Sequence, residues 1–226
     1  MRPLTDRIPK PLLLAGGKPL IVWHIENLVR AGIKDLVINH AHLGMQIEYA
    51  LGDGSKFGAR IEYSREAEAL ETAGGIAHAL PLLGDSLFAV INGDIYCDYA
   101  FSRLLEAAEN LTARDDAAHL VLVSNPAHHP EGDFCLQADR IIPPSNPLQA
   151  ASCLQLTFSG IGIYSPGIFS SIEAGRKAPL APLLREQIAL QRVSGERHAG
   201  TWVDVGTPER LSELDARLKL EQVNHV

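Results

Sequence analysis

Four short stretches of this 226-residue chain carry side chains whose types and spacing could do chemistry. Lys10 stands between Pro9 and Pro11. Proline fixes the local backbone, so an ammonium mounted there loses little entropy when it meets a phosphate; an exposed lysine in a Pro-rich turn has the same signature. Glu71-Thr72-Ala73-Gly74-Gly75 runs into an apolar helical pattern. Two glycines admit a flat base or a phosphate close to the backbone, and a helix N-terminus favours anions, although a plain loop pair reads alike. Asn92-Gly93-Asp94 closes an apolar run. A carboxylate at the end of a buried strand, after a glycine that lets a ligand approach, suits Mg²⁺ shared with phosphate oxygens; a turn aspartate or helix cap is the alternative. Asp204 lies within Trp202-Val-Asp-Val-Gly-Thr-Pro-Glu-Arg210. Burying it is costly unless a metal, a nearby Arg or a backbone N–H answers the charge.

Other chemistries find little support. His40 with His42 and His128 with His129 lack the acid or cysteine that a zinc spacing needs. No G-x-S-x-G, H-E-x-x-H or G-x-x-x-x-G-K-[ST] occurs. The three cysteines, Cys97, Cys135 and Cys153, are odd in number and widely spaced, which predicts reduced cytosolic thiols. The formal net charge is -7 with no block of Lys and Arg, against a nucleic acid or an anionic membrane as partner. No apolar run reaches the roughly 18 residues of a membrane span, and no secretory signal is visible, so the expected location is cytoplasmic.

The elements that must position these residues alternate. Helical patterns are predicted over 18–32, 43–51, 75–83, 99–111, 180–190 and 208–220, and strands over 35–39, 60–63, 87–91 and 119–123. Residues 132–142 read as a hairpin and 154–164 as a long strand, with 137–151 as the mobile loop. Strand–helix alternation predicts an α/β fold with a Rossmann-like mixed, mostly parallel sheet covered by helices on both faces.

In order, P-K-P-L, E-T-A-G-G, N-G-D and W-x-D-x-G-T-P-E-R resemble the sugar-1-phosphate nucleotidyltransferases over essentially the whole chain. Segments such as Ile38–Gly44, Leu51–Gly58, Asn125–His129 and Leu156–Ile161 are similar to the N-acetylmuramate-1-phosphate uridylyltransferase branch. The resemblance implies a single nucleotidyltransferase domain over 1–226 without a C-terminal β-helix. It also implies a reaction of UTP, or another NTP, with a sugar 1-phosphate that gives a nucleotide-sugar and pyrophosphate. On this basis Lys10, Asp94 and Asp204 are catalytic, with Asp94 and Asp204 as Mg²⁺ ligands. Glu71, Thr72, Gly74, Gly75 and Asn92 would bind the nucleotide, and Gly132, Asp133, Thr157, Ser159 and Gly160 the sugar. Mannose-1-phosphate guanylyltransferases share these motifs.

The family's first strand and glycine loop come before a segment like Arg2-Pro3-Leu4-Thr5, and here that segment follows directly on Met1. The resemblance implies a longer natural chain or, failing that, a non-catalytic nucleotide-sugar-binding protein. Without that strand, two neighbouring strands lack a backbone partner. The apolar burial forgone is comparable with a domain's net stability of about 5–15 kcal/mol, so the chain as given is expected to be marginal or aggregation-prone.

Overall fold

A computed structural model describes residue 1 and residues 3–143 and 153–224. Arg2 and most of the loop expected over 137–151 lie outside the described residues. In chain order the elements are β1 (Leu14–Ala15), β2 (Lys18–Pro19), α1 (Leu20–Arg30), β3 (Asp35–His40), α2 (Gly44–Leu51), β4 (Arg60–Arg65), α3 (Glu71–Leu83), β5 (Phe88–Ile91) and β6 (Ile95–Cys97). Then come α4 (Ser102–Arg114), β7 (Ala118–Val123), β8 (Phe134–Gln137), β9 (Arg140–Ile142), β10 (Leu154–Tyr164), α5 (Leu180–Ala189), β11 (Val193–His198), β12 (Trp202–Asp204) and α6 (Pro208–Asn224). They group into two compact units, one made of residues 1–69, 92–101 and 200–226, the other of 70–91 and 102–199.

The first unit is built from three pieces of chain. Gly16 and Gly17, at φ +60° and +76°, turn β1 onto β2, a conformation that costs glycine little. Lys18 and Pro19 therefore belong to a hairpin, and α1 begins at Leu20, two residues later than the pattern predicts. The apolar face of α1 places Ile21, Val22 and Ile25 against Ile47, Leu51 and Ile61. β3 and β4 pair in parallel in register, from Asp35 opposite Arg60 to His40 opposite Arg65. Short strands β6 and β12 pair antiparallel. Their underside closes a second core of Leu13, Ala15, Leu20, Tyr96, Val205, Leu214 and Leu218.

The second unit holds a six-stranded sheet ordered β5-β10-β7-β11-β9-β8. Every residue of β7 is buried, as expected of a strand covered on both faces. The sheet is mixed: β7 and β11 run parallel, whereas β10 enters antiparallel between β5 and β7. Parallel pairing among the described residues is confined to β3–β4 and β7–β11, a smaller share than the alternation predicts, because β10 and the β8–β9 hairpin fill the other positions. Leu120, Leu122, Leu156, Tyr164 and Phe169 are at the centre of the core.

Two features differ from the sequence reading. Cys135 and Cys153, expected as free thiols, are joined in a disulfide with Cα atoms 5.6 Å apart. The cause is the pairing of β8 with β10, which sets Cys135 opposite Gln155 and so beside the residue that leads into β10. Cys97 stays free and buried. The second feature is β3, predicted to be buried on both faces. Leu36, Val37 and Ile38 are only partly buried, and β3 pairs with β4 alone among the described residues. Among the described residues β5 likewise pairs only with β10.

Candidate active site

The β6–β12 ladder makes the centre of the site. Trp202, Val203 and Asp204 lie opposite Cys97, Tyr96 and Ile95, and the Val205 N–H donates to the Asp94 carbonyl at 3.3 Å. Asp94 and Asp204 thus share one end of a two-stranded ribbon, although 110 positions separate them in sequence (204 − 94).

Each carboxylate is answered by a cation. Lys10 opens a tight 3₁₀ turn, Lys10–Leu12, after extended Pro9, and its Nζ donates to Asp94 Oδ2 at 2.7 Å. Gly93 has a different use from the one the sequence suggests: a Cβ there would lie 3.3 Å from the Pro11 ring. The close approach that this glycine permits is that of the segment carrying Lys10. On the other strand, Arg210 Nη1 donates to Asp204 Oδ2 at 2.8 Å and to the Asp204 carbonyl at 2.9 Å. Of the three partners the sequence left open for Asp204, a metal, an arginine or a backbone N–H, the arginine is present. Thr207 caps α6 by accepting the Arg210 N–H at 3.3 Å, with Pro208 first in the helix, so Arg210 stands in the first turn and folds back onto Asp204.

His24 supports the same ribbon from below. It is 3% exposed on α1, and its Nε2 lies 2.8 Å from the Ile95 carbonyl. A carbonyl can only accept, so Nε2 carries the proton. Burial lowers the ring's pKa, outweighing the opposing influence of Ile95 and Asp94, and keeps it neutral. Burial also pushes the Cys97 thiol up to about 12, which makes it inert as a nucleophile. Arg210, Gly206 and His24 were not among the sequence-derived site residues. Gly206 and Arg210 had a signal, as positions of the W-x-D-x-G-T-P-E-R stretch, and His24 had none.

Lys10, Asp94 and Asp204 come together in the first unit, with Asn92 exposed just before Gly93. Glu71, Thr72, Gly74 and Gly75 are in the second unit, at the start of α3. Glu71 has φ +61°, a strained value for a residue other than glycine. The donors that a helix start offers to an anion are partly spent here. Ala73 and Gly74 N–H both donate to the Ala178 carbonyl, at 3.0 and 3.1 Å. A Cβ on Gly74 would meet the Arg176 carbonyl at 2.3 Å. Gly74 therefore admits the chain's own backbone.

The residues expected to meet the sugar form a hydrogen-bonded cluster in the second unit. Asp133 accepts the Phe158 N–H at 2.8 Å and lies 3.0 Å from His129 Nε2. Asn125 takes the Thr157 hydroxyl at 3.0 Å and donates to the Pro130 carbonyl at 2.9 Å. Gly132, at φ +64°, has Asn125 and Leu156 where a Cβ would sit. Ser159 and Gly160 form the irregularity in β10 between Phe158 and Ile161. The Ser159 hydroxyl donates to Val121 O at 2.6 Å and accepts the Ile161 N–H at 3.1 Å, which is a structural use. One histidine of each pair is similarly engaged: His40 Nε2 contacts Glu48 at 2.8 Å, and His129 meets Asp133.

Comparison with known proteins identifies the family. Residues 1–132 match the nucleotidyl transferase family. The chain is 54% identical to the N-acetylmuramate alpha-1-phosphate uridylyltransferase of Neisseria meningitidis serogroup B, over 96% of this chain and 92% of that protein. It is 30% identical to the mannose-1-phosphate guanyltransferase of Hypocrea jecorina, over 92% of this chain but 58% of that longer protein. A Bacillus anthracis structure described as a glucose-1-phosphate thymidylyltransferase superposes with a TM-score of 0.80 at 22% identity, over 97% of this chain and 90% of that one. The last likeness establishes the mixed α/β fold. The chain belongs to the nucleotidyl transferase family.

Proposed function

We propose that this chain transfers a uridylyl group from UTP to N-acetylmuramate 1-phosphate, giving the UDP-sugar and pyrophosphate. A phosphate oxygen of the sugar phosphate attacks the α-phosphorus of UTP in line. The bond from that phosphorus to the bridging oxygen breaks, and pyrophosphate leaves with the electron pair. Such a transfer asks little covalent work of the protein and much positioning and charge neutralisation.

The observation that carries the reading is the two-carboxylate end of the β6–β12 ribbon, with Lys10 on Asp94 and Arg210 on Asp204, in a chain 54% identical to such an enzyme. Two carboxylates that each already hold a cation are hard oxygen donors in a cation-binding setting, and they fit Mg²⁺ completed by phosphate oxygens and water. Asp94 and Asp204 would hold the ion, which when bound neutralises phosphate charge. Lys10 is held on a proline-flanked segment at this site, and it supplies positive charge to the phosphates. Asp133, Thr157 and their cluster would meet the sugar, and the Glu71–Gly75 segment the base. No described helix is long and apolar enough to cross a membrane, and UTP as substrate suits a cytoplasmic location.

The test is pyrophosphate release from UTP and N-acetylmuramate 1-phosphate with Mg²⁺, run beside GTP with mannose 1-phosphate. Release with the first pair, abolished in Asp204→Asn, is the expected result. Preference for the second pair would move the chain to the guanylyl branch. Binding of UDP-sugar without turnover by either pair would make it a binding protein.

A further inference from the structure

Gly206 and Arg210 explain each other. A Cβ placed on Gly206 would lie 3.0 Å from Arg210 Nη2 and 3.2 Å from Asp204 Oδ2. No positive φ demands glycine at this position, so the backbone alone would tolerate alanine. What the missing side chain provides is room for a guanidinium to lie against the carboxylate. Arg210 uses that room to donate from one nitrogen to both the side chain and the carbonyl of Asp204. A contact of this kind fixes the carboxylate relative to its own backbone as well as offsetting its charge. The Thr207 cap and Pro208 hold the first turn of α6 so that Arg210 is delivered to this spot.

We infer that Arg210 is a positioning residue for Asp204, and that Gly206 is present in the W-x-D-x-G-T-P-E-R stretch to admit it. The inference rests on the reading of Asp204 as a metal ligand, and it adds a partner that holds that ligand in one orientation before metal arrives. Losing a hydrogen-bond partner of a ligand generally costs about 10–100-fold in metal affinity or activity. A bare guanidinium charge would act in the opposite sense, repelling a divalent cation, so the sign of the effect separates positioning from simple electrostatics.

The experiment is Mn²⁺ titration followed by electron paramagnetic resonance, with UTP present, on the 226-residue chain and on Arg210→Met, Arg210→Lys, Gly206→Ala and Asp204→Asn. Thermal unfolding of each variant is recorded alongside. Expected are about 10–100-fold weaker Mn²⁺ binding in Arg210→Met, the same direction in Gly206→Ala through displacement of the guanidinium, and an intermediate value in Arg210→Lys. A merely structural arginine would shift the unfolding temperature and leave Mn²⁺ binding alone. Unchanged or tighter binding in Arg210→Met overturns the inference. If Asp204→Asn binds Mn²⁺ like the parent chain, the metal-ligand reading itself fails. A metal-free crystal structure of Arg210→Met decides the positioning role independently: a displaced Asp204 carboxylate supports it, and an unmoved one overturns it.

Discussion

Lys10 and Asp94 are 84 positions apart in sequence and 2.7 Å apart in space. Their side chains remain 29% and 37% exposed. A half-exposed ion pair contributes little to stability, typically 0–1 kcal/mol. Lys10→Met is therefore expected to unfold within a few degrees of the parent chain while losing about 100-fold or more in turnover, the scale of a lost electrostatic donor to the reacting phosphates. A loss of activity explained wholly by unfolding would show that the pair is structural.

His24 gives a pH dependence with a definite sign. Burial lowers its native pKa below the ordinary 6.5, so the unfolded chain takes up a proton that the native chain refuses. The neutral ring's contribution is complete above about pH 6.5 and declines as pH falls from there towards the lowered native value. Unfolding temperature is expected to drop between pH 7.5 and 5.5, and to drop less in His24→Gln. Equal slopes for the two proteins would refute the assignment.

Thr157 and Ser159 are two residues apart on β10 but differ in what their hydroxyls do. Ser159 is 1% exposed and its hydroxyl bridges the irregular turn of the strand, so Ser159→Ala is expected to cost about 1–3 kcal/mol of stability. Thr157→Val breaks the link to Asn125 within the Asp133 cluster. It is expected to raise KM for the sugar phosphate severalfold with KM for UTP unchanged. Denaturant unfolding and steady-state kinetics on both variants check the contrast.

Alkylation under denaturing, non-reducing conditions is expected to modify one cysteine per chain, Cys97, and all three after reduction. Three modifications without reductant would restore the three-thiol reading of the sequence.

Open strand edges bear on handling. β3 and β5 each pair on one side among the described residues, and Leu36, Val37 and Ile38 are incompletely buried. Such edges template association between chains. The isolated 226-residue chain is expected to unfold at low temperature with aggregation. A sharp, reversible transition at an ordinary mesophile temperature, about 45–65 °C, would contradict this.

Much of this was legible because it is local. The run 120–123 is apolar throughout and lies within β7, and β10 was predicted over its observed span, since an eleven-residue apolar alternation has few other uses. Misplaced boundaries trace to partners distant in sequence. α3 begins at Glu71, ahead of the predicted 75, because Ala178 supplies an acceptor for its first N–H groups. The parallel share of the sheet was overestimated because nothing in the sequence of β10 reports which way it enters. Lys10, Asp94 and Asp204 were legible as residue types, since an aspartate set among apolar residues and a proline-flanked lysine are conspicuous, although both carboxylates prove only partly buried. Arg210, Gly206 and His24 were harder to find, because their roles follow from what they touch.

The ribbon that carries Asp94 and Asp204 joins two pieces of chain, 92–101 and 200–226, and the interval from 102 to 199 belongs to the other unit. Closing a loop of this length costs entropy before any contact repays it, and pairings so distant in sequence form slowly. On a ribosome, Asp94 emerges with Lys10 available but without its opposite strand. The centre exists only once residue 204 and its strand have been made, so a nascent chain that stops at residue 199 would hold the core of β7 and β10 and still lack the two-carboxylate centre.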